Sequence, residues 1–125
     1  MAITRSLIAV VDDEESVRRA LGRLLRSAGH DVRSYATGTE FIASLPGGRP
    51  DCLVVDVHMP GLTGFDVLAQ IQTDGVRLPT IVITGIDDPD AETRAARLGA
   101  VKFLRKPFPE DELLDAVELA ASAKP

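Results

Sequence analysis

Five short apolar runs punctuate the chain, at residues 7–11, 30–35, 52–55, 80–83 and 101–104. They are rich in β-branched residues and mostly continuous rather than alternating, a pattern that predicts strands covered on both faces. Between them the apolar positions recur at helical spacing. Val17, Ala20, Leu21, Leu24, Leu25 and Ala28 form a single stripe, and Gly29 follows it as glycine follows a helix C-terminus. Phe41, Ile42 and Leu45 predict a shorter second helix, stopped by Pro46, Gly47 and Gly48. Phe65, Leu68 and Ile71 predict a third that ends near Gly75, and Ala91, Ala95 and Leu98 a fourth closed by Gly99. Pro109 with Glu110, Asp111 and Glu112 predicts the start of a fifth, with proline in the first turn and acids favoured by the helix dipole. Five strands alternating with five helices give an α/β fold, an open parallel sheet with right-handed crossovers.

In such sheets ligands sit beyond the carboxyl ends of the strands, near the switch in strand order. Strand one ends in Asp12 and Asp13, strand three in Asp56, strand four in Thr84 and strand five in Lys106. Three carboxylates gathered at one edge repel each other, and a hard divalent cation relieves that repulsion. Mg2+ suits the set because it accepts one or two carboxylates, keeps waters and takes a phosphate oxygen. Helix capping from Glu14 onward is the competing use of Asp12 and Asp13. Asp56 can act as a nucleophile toward phosphorus, and Lys106 can neutralise the charge gathering on the phosphoryl oxygens. The Thr84 hydroxyl can donate to one of those oxygens.

Length and composition add bounds. One domain of 125 residues buries a sizeable core, and 45% hydrophobic with 26% charged residues is typical of a globular protein. The net charge of −5 argues against this chain gripping nucleic acid by itself. Cys52, the one cysteine, lies in an apolar run and is expected as a buried thiol. No segment resembles a secretory signal or reaches membrane-spanning length, so the expected location is the cytoplasm, with no membrane partner.

Val11-Asp12-Asp13-Glu14, the run Asp56-Val57-His58-Met59-Pro60-Gly61, Ile83-Thr84-Gly85 and Lys106-Pro107-Phe108 resemble, in order and spacing, the signature blocks of response-regulator receiver domains. The resemblance covers essentially the whole chain. It implies a flavodoxin-like (βα)5 doubly wound sheet of strand order 2-1-3-4-5. It implies Mg2+ held directly by Asp13 and Asp56, through water by Asp12, and by the backbone carbonyl of His58. Lys106 would pair with the phosphoryl group, Thr84 would hydrogen-bond to it, and the Lys106-Pro107 bond would be cis. Phe103 stands where the family carries its switch aromatic.

The segment 36–41 and the turn 61–64 are most similar to the FixJ-type subgroup, whose members usually carry a C-terminal helix-turn-helix. The implied function is therefore a phosphoacceptor served by a sensor histidine kinase, not an enzyme in its own right. Its output surface would be helix four, strand five and helix five, with a phosphorylation-dependent homodimer as one outcome. Residues 121–125 are expected as a tail or the start of a linker after a folded core of about 1–120. DNA would be reached only through a C-terminal domain absent from this chain.

His58 and Ile86 flank the expected phosphate and would influence how readily water reaches it; bulky Ile86 offers nothing to orient an attacking water. Arg18, Arg19, Arg23 and Arg26 lie on the polar side of the first helix, either as a solvated face or as part of a kinase contact.

Rival functions are weaker. A dehalogenase-like phosphatase needs a second aspartate two residues after Asp56, where this chain has His58. A flavodoxin-like cofactor binder needs hydroxyls and glycine after strand one, where this chain has four acids, Asp12 to Glu15. A stand-alone receiver and a non-phosphorylated pseudo-receiver remain the alternatives within the family.

Overall fold

A computed structural model of the chain describes residues 5–85 and 88–122. Strands β1 (Leu7–Val11), β2 (Asp31–Tyr35), β3 (Cys52–Asp56), β4 (Thr80–Thr84) and β5 (Lys102–Arg105) alternate with five helices. These are α1 (Glu15–Ser27), α2 (Gly38–Ser44), α3 (Gly64–Thr73), α4 (Ala91–Arg97) and α5 (Glu110–Ser122). All neighbouring strands pair in parallel, and the sheet order is β2-β1-β3-β4-β5. The expected flavodoxin-like order is thus the observed one.

Successive residues of a strand face opposite sides of the sheet, so each inner strand feeds two cores. Ala9, Val11, Leu53, Val55 and Val82 pack with Phe41, Phe65, Leu68, Ile71 and Ala95 beneath α2, α3 and α4. Ile8, Val10, Val54, Ile81, Ile83 and Leu104 pack on the other face with Leu21 and Leu25 of α1 and Leu113 and Val117 of α5. Cys52 lies in this second core, fully buried.

Four details depart from the sequence expectation. Full burial holds for β3 and β4 but not for the two edge strands: Asp31, Arg33 and Ser34 of β2 and Lys102 and Arg105 of β5 are exposed. As the sheet's outer strands, β2 and β5 each pair on one side only, and charge on an edge opposes strand-to-strand association. The stripe on α1 is also narrower: Leu21 and Leu25 are buried, whereas Ala20 and Ala28 are exposed. Pro109 precedes the first residue of α5, where its carbonyl accepts from the Glu112 N–H (3.1 Å). Finally, α5 continues through Ala121, which is buried, to Ser122, beyond the expected end of the core near 120.

The start of α3 is fixed by two local devices. Thr63 caps the helix: its side chain accepts from the Asp66 N–H (3.2 Å), and Asp66 accepts from the Thr63 N–H (2.9 Å). Gly64, the first helical residue, donates to the Val57 carbonyl at 3.0 Å. A Cβ there would lie 2.6 Å from the Asp56 carbonyl oxygen, so only glycine lets α3 approach the end of β3 this closely.

Candidate functional site

Strand register brings the chemistry to one edge. Val11 pairs with Val55, and Asp56 with Ile83, so the ends of β1, β3 and β4 lie side by side. Asp12 continues from β1, Asp56 closes β3, Thr84 closes β4 and Lys106 follows β5. Carboxylate oxygens of Asp12, Asp13 and Asp56 lie within 4.8 Å of one another. Asp12 is 2% exposed and Asp56 7%, while Asp13 is exposed to solvent.

The two buried acids are held in place. Asp56 accepts from the His58 N–H on Oδ1 (2.8 Å) and from the Lys106 Nζ on Oδ2 (3.2 Å). Lys106 also stands 3.6 Å from Asp12 Oδ2, so one ammonium bridges both carboxylates. Asp12 Oδ1 accepts from the Glu14 N–H (2.9 Å). Glu14, the N-cap of α1, makes no capping bond with its own side chain, so one Asp12 oxygen serves the helix start while the other faces Lys106. The Lys106-Pro107 peptide is cis, as the resemblance implied.

Electrostatics follow from this crowding. Burial above all, with the nearby Asp56 charge added, pushes the Asp12 carboxyl up to about 6. Burial disfavours the Lys106 ammonium, but the carboxylates of Asp56 and Asp12 more than offset it and raise its pKa. An all-oxygen set with surplus negative charge fits a hard dication such as Mg2+.

A raised folded-state pKa means the folded protein holds that proton more tightly than the unfolded chain. The associated stability is present at low pH and disappears as pH rises through about 6. Asp12→Asn should therefore stabilise the metal-free protein at pH 7.5 by about 1–2 kcal/mol, with the gain fading toward pH 4. Urea denaturation in EDTA at both pH values checks this; a less stable variant at pH 7.5 contradicts it.

The remaining candidates are distributed as follows. Thr84 is buried at the end of β4. The side chain of His58 is exposed. Phe103 is half-buried against the α2–α4 core, with the Arg105 guanidinium 5.3 Å from its ring centre. It lines a cleft of about 210 Å³ between α4 and β5. Ile86 lies outside the described residues. The four arginines of α1 separate: Arg19, Arg23 and Arg26 are exposed, whereas Arg18 is half-buried and donates to the Asp12 carbonyl oxygen at 2.7 Å. Helical periodicity gave no sign of that contact. A cation–π contact, Arg94 of α4 over the Phe65 ring at 4.3 Å, was equally unforeseen.

The family model of the response regulator receiver domain matches residues 8–118. Nodulation protein W of Bradyrhizobium diazoefficiens is 41% identical over 95% of this chain and 52% of its own length. Transcriptional regulatory protein FixJ of the same organism is 38% identical over 94% of this chain and 57% of its own. The chain thus spans about half the length of these curated relatives. Among solved structures, FixJ-N superposes with a TM-score of 0.91 at 32% identity, covering 98% of each chain. By sequence and by fold together, this chain belongs to the response regulator receiver family and is of the FixJ type.

Proposed function

We propose that this chain receives a phosphoryl group on Asp56 from a sensor histidine kinase and uses it to switch an output surface. The observation carrying this reading is the constellation of Asp56, Asp12, Asp13 and Lys106 at one sheet edge, with Lys106 bridging the two buried carboxylates.

A carboxylate oxygen of Asp56 attacks the phosphorus of a phosphohistidine. A P–O bond forms, the P–N bond breaks, and the electron pair returns to the imidazole nitrogen. Lys106 follows the charge on the phosphoryl oxygens, and the His58 N–H fixes the orientation of the nucleophile. Asp13, Asp56 and the His58 carbonyl would hold Mg2+ directly, with Asp12 acting through water. When bound, that ion would supply positive charge that offsets the charge gathering on the phosphoryl oxygens. His58 and Ile86 would govern water access to the acyl phosphate.

The Thr84 hydroxyl then draws toward the phosphoryl group and Phe103 moves inward, shifting the population of arrangements at α4, β5 and α5. The cleft beside Phe103 leaves room for that rearrangement. Dimerisation through this surface is one consequence. FixJ is a transcriptional regulator by name and this chain covers 57% of its length, so DNA would be reached through a C-terminal domain rather than through this receiver. The domain works in the cytoplasm, and residues 1–125 form one receiver. A stand-alone receiver acting through protein contacts is the second reading.

Adding beryllofluoride with Mg2+ should move the amide resonances of Thr84, Phe103 and α4. No change in any of them would turn the reading toward a pseudo-receiver.

A further inference from the structure

We infer that Arg18 is a positioning residue for the cation site, acting through the Asp12–Asp13 peptide. The inference rests on the Mg2+ reading above. Arg18 lies one turn into α1, where its own N–H is committed to the Glu14 carbonyl (3.0 Å). Its guanidinium reaches back to the carbonyl oxygen of Asp12 at 2.7 Å, a short charge-assisted hydrogen bond. Asp12 is then constrained on every polar group. Its N–H donates to the Tyr35 carbonyl (3.2 Å), Oδ1 accepts from the Glu14 N–H, Oδ2 faces Lys106, and its carbonyl accepts from Arg18.

That carbonyl belongs to the peptide joining Asp12 to Asp13. Fixing its plane fixes the direction in which Asp13 leaves β1. Asp13 is the one exposed member of the carboxylate trio, and among the described residues no hydrogen bond holds its side chain. Its aim toward Asp56 therefore depends on the backbone, which Arg18 ties down. The other α1 arginines do not share this role: Arg19 pairs with Glu15 at 3.3 Å, with both side chains largely exposed.

Charge alone predicts the opposite outcome from positioning. A guanidinium near a dication repels it, so a plain charge effect makes Arg18→Met bind Mg2+ more tightly. Positioning makes it bind more weakly, by roughly tenfold, the lower end of what groups orienting metal ligands contribute. Arg18→Lys, which keeps a donor and the charge, should recover most of the affinity.

The test is calorimetric titration of the full chain with MgCl2 for wild type, Arg18→Met and Arg18→Lys, with thermal unfolding in EDTA alongside. Weaker binding by Arg18→Met at unchanged metal-free stability, with recovery in Arg18→Lys, is the expected result. Equal or tighter binding by Arg18→Met overturns the inference and leaves the phosphoacceptor reading standing. Failure of wild type itself to bind Mg2+ removes both. Should Arg18→Met not fold, wild-type protein decides: the Arg18 guanidinium protons should exchange more slowly than those of Arg19, and free exchange at both overturns the inference.

Discussion

Gly64→Ala is expected to lower stability by about 3 kcal/mol and to slow phosphoryl acceptance about 100-fold. The added methyl would meet backbone on two residues: the Asp56 carbonyl oxygen at 2.6 Å, the Asp56 carbonyl carbon at 3.0 Å and Val57 Cα at 3.0 Å. None of these atoms can rotate away. Either α3 lifts from the sheet, breaking the Gly64–Val57 hydrogen bond, or the end of β3 yields and carries the Asp56 carboxylate off its alignment with Lys106. Urea denaturation together with the rate of labelling by acetyl phosphate checks both halves. Wild-type stability with a wild-type rate contradicts the close seating of α3 on β3.

Lys106→Met separates binding from chemistry. The ammonium bridges Asp12 and Asp56 and competes with any dication for them, so its removal should leave Mg2+ affinity unchanged or tighten it. The same change deletes the charge opposite the transferring phosphoryl group, and labelling should slow about 100-fold. Metal titration and labelling kinetics on one preparation decide the matter. Loss of metal binding in step with labelling would mean that Lys106 only holds the site together.

Much of this architecture was legible before the fold was known, because parallel sheets leave strong marks. The β3 and β4 runs are continuous and fully buried, and their last residues, Asp56 and Thr84, fall where alternating connections gather strand ends. Edge strands were less legible. Val32 and Tyr35 made β2 resemble the inner strands, although only its neighbours determine whether both faces are covered. The carboxylates and Lys106 could be named from order alone, since each closes or follows a run.

The contacts of Arg18 and Gly64 could not be read in this way. Arg18 is one of four arginines along α1, and the path of the Asp12 carbonyl is what gives it a partner. The close approach of Gly64 depends on how deeply α3 seats against β3, a tertiary distance without a local signature beyond the Thr63–Asp66 capping pair.

The most direct test of the central claim is the intact mass of the protein after incubation with acetyl phosphate and Mg2+, for wild type and Asp56→Asn in parallel. The account predicts one added phosphoryl group on wild type, none on Asp56→Asn, and none on either when EDTA is present. An adduct of the same size on Asp56→Asn, or no adduct on wild type, contradicts it.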